Sequence, residues 1–89
     1  MSKYCGFAYA PHSLDYLRTV SKKLRKQIVS KIKQLAFDPY PPTSKPVQGM
    51  VDGEERVYRI RSGDYRILYC VRGDIVVILD IGHRKDVCR

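Results

Sequence analysis

The sequence has no tryptophan, only three cysteines and only nine acidic residues among 89. The cysteines, Cys5, Cys70 and Cys88, are odd in number, widely spaced and without a CxxC, so no disulfide scaffold is expected and a reducing compartment is the default. The two histidines, His12 and His83, stand far apart, which gives a structural zinc site little support. No apolar run approaches the roughly 18–20 residues that cross a bilayer. No long apolar stretch follows the first lysine either, so neither a membrane span nor a secretory signal is expected. Internal repeats and low-complexity tracts are missing too. A chain of this length fits one small domain and excludes a two-domain enzyme with a dedicated cofactor domain.

What is present is positive charge. Seventeen Lys and Arg against nine Asp and Glu leave a formal net charge of +8. Seven Tyr, two Phe and a 44% apolar share supply a core and exclude intrinsic disorder. Such a surplus concentrates polyanions and speeds their capture. Nucleic acid is the leading partner; an anionic membrane surface or an acidic protein also fits. The charge is unevenly spread: no acid lies between Tyr16 and Phe37, a stretch holding Arg18, Lys22, Lys23, Arg25, Lys26, Lys31 and Lys33. It could track a phosphate backbone, whereas mixed signs would stabilise an ordinary solvated helix face better.

The pattern predicts an α+β domain. Alternation over roughly residues 3–9 predicts a first strand. Pro11-His12-Ser13 opens a helix with Ser13 as N-cap, Asp15 in its first turn and Leu14 and Leu17 on one stripe. A second helix over roughly 22–37 carries Leu24, Ile28, Ile32 and Leu35 at helical spacing. Residues 38–46 hold four of the five prolines and form a connector. Three strands follow, over 55–61, 64–72 and 75–82, joined at Ser62-Gly63 and Arg72-Gly73-Asp74. The continuous run Ile75-Val76-Val77-Ile78-Leu79 predicts a central strand covered on both faces. The fold class expected is a small antiparallel sheet with an N-terminal helical hairpin on one face, in the order β-α-α-β-β-β.

A two-residue turn at Ser62-Gly63 pairs Arg61 with Asp64 and Arg59 with Arg66, which gathers Arg59, Arg61 and Arg66 on one sheet face. Like charges opposite one another destabilise a sheet, and guanidinium forks match phosphate oxygens in two-point contacts. The face therefore reads as an anion site. In the tail, His83 adds a titratable imidazole beside Arg84 and Lys85 and is a candidate acid or base. Asp80 reads as a structural partner for one of the clustered arginines, and Tyr58, Tyr65 and Tyr69 as core or rim aromatics.

The hairpin run from Val57 to Tyr69, VYRIRSGDYRILY, together with the ending IGHRKDVCR over 81–89, resembles the RelE-type toxins of the RelE/ParE superfamily. The resemblance spans nearly the whole chain and treats residues 1–89 as one domain. It implies the toxin of a type II toxin–antitoxin pair: a metal-free, cofactor-free endoribonuclease that enters the ribosomal A site in the cytoplasm and cuts mRNA by 2′-hydroxyl attack on phosphorus. Arg59 and Arg61 stand at that family's basic pair, Arg66 at the arginine that steadies the charged phosphorane, and Arg84 at the basic residue of the closing motif. The implied partners are an antitoxin and the ribosome, with the basic helix on rRNA and no membrane. One position departs. The family motif often ends in a tyrosine, where this chain has Cys88. Cysteine cannot stack on a base. Either His83 takes over proton transfer, or the enzyme is slow, or catalysis is lost. The alternative implied by ParE-type relatives is inhibition of DNA gyrase without nuclease activity; a plain nucleic-acid-binding domain is the third reading.

Overall fold

The computed structural model describes residues 6–83. Along the chain run β1 (Gly6–Tyr9), α1 (Pro11–Thr19), α2 (Lys22–Gln34), β2 (Lys45–Asp52), β3 (Glu55–Ser62), β4 (Tyr65–Arg72) and β5 (Ile75–His83). The strands form one five-stranded sheet in the order β1-β5-β4-β3-β2. β1 pairs with β5 in parallel and the other neighbours are antiparallel, so the sheet is mixed, not purely antiparallel. β4 is the central strand; β5 lies beside it, and its Ile75 is exposed while Val76 and Ile78 are buried.

Helix α1 starts at Pro11, whose fixed φ and missing N–H suit the first helical position. Ala10, not Ser13, is its N-cap, and no acid occupies its first turn. Ser13 is instead fully buried, while Leu14 is exposed and only Leu17 of the expected stripe enters the core. Ser21 caps α2 by accepting the Leu24 N–H at 3.2 Å. The elbow between the helices is fastened by Arg25, whose Nε donates to the Leu17 carbonyl at 2.8 Å and whose Nη2 donates to that of Val20 at 3.4 Å. Both oxygens belong to the end of α1, where carbonyls lack helical partners. α2 gives way after Gln34 to tighter bonds, Leu35 N–H to the Ile32 carbonyl and Ala36 N–H to that of Lys33, ahead of Asp38-Pro39.

The core lies between the helices and one sheet face. Leu17, Ile28, Ile32 and Leu35 pack on Ile60, Ile67, Tyr69, Val76, Ile78 and Ile81. A bulge in β5 is needed for that list. Ile67 stands opposite Ile81 and Leu68 opposite Asp80, yet Tyr69 stands opposite Ile78, so Leu79 is the extra residue. The bulge resets the alternation, which lets Ile81 join Ile78 in the core and turns Asp80 and Gly82 to the other face. Tyr69 is fully buried and donates its hydroxyl to the Pro39 carbonyl at 2.6 Å, tying the proline segment to the sheet. Burial pushes its titration up to about 12. Tyr58 sits between the rings of Tyr40 and Tyr69, and Tyr65 against Tyr16, so these aromatics are packing groups.

The connector ends earlier than its prolines suggest. Lys45 and Pro46 already belong to β2, an edge strand, where a proline N–H is not needed for the ladder. The β2–β3 register slips between Pro46 and Val51, which blurs the period-2 pattern. Arg72 reaches back from β4 to hold the end of β2, pairing with the Asp52 carboxylate and donating to its carbonyl. Burial raises the titration of the Cys70 thiol, and the neighbouring Asp52 carboxylate adds to the effect.

Candidate nucleic-acid interface

Glycine chemistry sets the geometry of the basic face. Gly63 has φ +62 and no non-glycine residue in the described chain has positive φ. A two-residue hairpin loop with positive φ at its first position only is of the II′ kind, which places glycine first. The turn is therefore Gly63-Asp64, not Ser62-Gly63, and the pairs become Ser62 with Tyr65, Arg61 with Arg66, Ile60 with Ile67 and Arg59 with Leu68. The slip moves the turn by one residue along the chain and each cross-strand partner by two. Since the faces repeat every two residues, Arg59, Arg61 and Arg66 stay on one face. What changes is the pairing: Arg61, not Arg59, faces Arg66.

Reading across the strands on this face gives two rows. One runs Lys45, Arg59, Leu68, Asp80 from β2 to β5. The next runs Arg61, Arg66, Gly82 from β3 to β5. Two pairs of like charge thus stand directly opposite one another, Lys45 with Arg59 and Arg61 with Arg66. β2 does not extend beyond the Lys45–Arg59 pair, so the β3 edge at Arg61 opens into a cavity of about 370 Å³ lined by Lys31, Thr43, Lys45, Arg59, Ile60 and Arg61. Four of its six lining residues are cationic and none is acidic. Two guanidinium forks and two ammonium groups around an open hollow suit the oxygens of a phosphodiester.

The other candidate residues fall into distinct places. Lys31 leaves the row of helix cations and joins the arginines at the cavity. Arg25 is occupied by the α1 carbonyls, and Arg18 faces Asp15 at 3.7 Å on the surface. Lys22, Lys23, Lys26 and Lys33 are exposed. The backbone of His83 ends β5 opposite Tyr65; its imidazole, like Arg84 and Cys88, lies outside the described residues. Asp80 has His12 as its close partner, with Oδ1 3.2 Å from Nε2, where an arginine was expected. Sequence reasoning missed Lys45, hidden in the proline-rich stretch, and His12, hidden in a helix start. A histidine at the second position of a helix carries no signal until the strand beside it is known. Among the described residues no group of three or more His, Cys, Asp or Glu is placed to hold a metal ion, and no helix is long and apolar enough to cross a membrane.

Comparison with known proteins agrees with this architecture. The family model described as ParE toxin of type II toxin-antitoxin system, parDE, matches residues 10–87. The fold is similar to that in the archaeal RelE–RelB complex from Pyrococcus horikoshii, at 22% identity over 94% of this chain and 97% of that one, with a TM-score of 0.75. It is similar to the toxin–antitoxin complex RelBE2 from Mycobacterium tuberculosis, at 22% identity over 92% and 93%, with a TM-score of 0.76. A third likeness is to the RelB–RelE antitoxin–toxin complex from Methanococcus jannaschii, at 26% identity over 90% and 93%, with a TM-score of 0.69. No curated protein matches the sequence.

Proposed function

The chain belongs to the ParE toxin family of type II toxin–antitoxin systems, and from that premise we propose that it is a ribosome-dependent endoribonuclease that cuts mRNA in the A site. The observation that carries this reading is the face on which Arg61 stands opposite Arg66, with Arg59 two residues along and Lys31 and Lys45 closing the cavity. Such a face holds a phosphodiester by its non-bridging oxygens. The ribose 2′-hydroxyl attacks phosphorus, and the phosphorane that forms carries an extra negative charge. Prefixed guanidinium groups stabilise that charge more than they stabilise the starting phosphodiester, which lowers the barrier without a metal. Arg66, flanked by strands on both sides, is the main phosphorane contact; Arg59, Arg61 and Arg84 complete the grip. His83 supplies the proton to the departing 5′-oxygen. The exposed lysines of α2 engage rRNA phosphates.

The partner that restrains such a protein is an antitoxin, as in the RelE–RelB complexes. An acidic or amphipathic segment covering the basic face would neutralise the site. The place of action is the cytoplasm, where ribosomes are.

The test is toeprinting of mRNA on translating ribosomes with antitoxin-free protein. New 3′ ends in the A site are expected, and their loss in Arg66→Ala by about 10²–10³-fold. Intact mRNA with folded wild-type protein overturns the reading. A second reading, gyrase inhibition, is favoured by the match to the ParE family model and by Cys88 at the closing position. A supercoiling assay separates the two, because a ribosomal nuclease leaves gyrase unaffected at toxin excess.

A further inference from the structure

The nuclease reading names an acid but no base for the 2′-hydroxyl. We infer that His12, held by Asp80, is that base. This assignment rests on the nuclease reading and adds a second histidine to it.

Three observations carry the inference. First, Asp80 sits on the same sheet face as Arg59, Arg61 and Arg66, because the bulge at Leu79 turns it there opposite Leu68. Gly82 stands directly opposite Arg66, and Asp80 is two residues before Gly82. Arg66 and Asp80 are therefore diagonal neighbours, about 7–8 Å apart at the backbone, within reach of long side chains. Second, β1 ends at Tyr9 opposite Ile78, so among the described residues no strand lies on the outer side of the last part of β5. The first turn of α1 fills that position, and His12 places Nε2 3.2 Å from Asp80 Oδ1. Third, the pair is accessible: His12 is 64% exposed and Asp80 41%. A core ion pair would be shielded; this one is open to a substrate lying on the arginines.

The chemistry follows from the contact. A carboxylate beside Nε2 favours the tautomer with the proton on that nitrogen and leaves a lone pair on Nδ1. With a phosphate gripped by Arg61 and Arg66, a nucleotide laid toward β5 brings its 2′-oxygen, only a few bonds from phosphorus, to the imidazole's side of the face. Nδ1 takes the proton from that hydroxyl while the O2′–P bond forms. The imidazolium so produced is stabilised by Asp80, as in other carboxylate–histidine pairs. The P–O5′ bond then breaks, and O5′ takes a proton from protonated His83. The products are a 2′,3′-cyclic phosphate and a 5′-hydroxyl; nothing is oxidised or reduced. His12 is a catalytic residue on this account, and Asp80 a positioning residue.

The experiment uses the full chain in single-turnover cleavage on programmed ribosomes, with ribosome affinity measured in parallel by co-sedimentation. His12→Ala should slow cleavage by about 10²–10⁴-fold with affinity held, and added imidazole should restore part of the rate to His12→Ala but none to Arg66→Ala. His12→Gln, which keeps a polar side chain beside Asp80, should be as slow as His12→Ala; this covers any effect of truncation on folding. Nitrogen NMR of the His12 ring should report the proton on Nε2 in the wild type and a weaker preference in Asp80→Asn. A wild-type protein that cleaves together with a His12→Ala variant that is unimpaired overturns this assignment alone. Loss of ribosome affinity in His12→Ala, in proportion to lost cleavage, also overturns it. A folded wild type that leaves mRNA intact overturns the nuclease reading and this assignment with it.

Discussion

Removing one arginine from the basic face should make the protein more stable and less active. Arg61 and Arg66 stand directly opposite in adjacent strands, and like charges in that position cost about 0.2–1 kcal/mol. Arg61→Gln keeps most of the apolar stem and removes the charge, so it should return that amount. For a domain of this size 1 kcal/mol corresponds to roughly 4–8 °C in melting temperature, which places the expected gain at roughly 1–8 °C. Repulsion between partly solvated charges is screened by salt, so the gain should shrink as ionic strength rises. Calorimetry of the wild type, Arg61→Gln, Arg66→Gln and the double variant completes a cycle whose coupling term isolates the pair. The coupling should be unfavourable in the wild type and fall with added salt. A lower melting temperature for Arg61→Gln, or a favourable coupling between the two arginines, would refute the claim that stability has been given up for an anion site.

Other expectations concern the scaffold. Ile32→Ala removes a fully buried side chain of α2 and should cost about 2–5 kcal/mol in denaturant unfolding. Tyr69→Phe strands the Pro39 carbonyl and should cost about 1–3 kcal/mol. Because Tyr69 titrates near 12 in the fold and near 10 when unfolded, its contribution is complete below pH 10 and is lost as pH rises toward 12; unfolding measured over that range should show Tyr69→Phe to be the less sensitive protein. Arg25→Ala frees the two carbonyls at the end of α1 and should raise amide exchange in that helix, at a cost of about 1.5–3 kcal/mol. Ser13 Oγ is buried without a hydrogen-bond partner among the described residues, so Ser13→Ala should leave the melting temperature unchanged or raise it.

The elements that could be read from the sequence are those whose pattern answers to one cause. The stripe Ile28, Ile32, Leu35 faces one apolar layer, and it appears in the structure where its spacing puts it. β3 and β4 place Ile60, Ile67 and Tyr69 on the face that meets the helices, while Val57, Leu68 and Cys70 are buried on the other face, so both strands read as apolar more than as alternating. β2 was hidden for two reasons: two of its first residues lie in the proline-rich stretch, and the slipped register after Pro46 breaks its alternation. The start of α1 differs from the expectation because Ser13 has the chemistry of a cap, while the constraint that decides the start belongs to Pro11. The arginine face is the same under either turn because the two registers differ by an even number of residues. The pairing of His12 with Asp80 joins residues 68 positions apart, as their numbers show. It depends on β1 lying parallel to β5 and on a bulge, neither of which is written in local periodicity.

Mapping of mRNA 3′ ends on ribosomes stalled with the antitoxin-free protein, comparing wild type with Arg66→Ala, addresses the central claim most directly. The account predicts breaks within the A-site codon that carry 2′,3′-cyclic phosphate ends and that all but vanish when Arg66 loses its guanidinium. Uncut message beneath a correctly folded, ribosome-bound wild-type protein would contradict it.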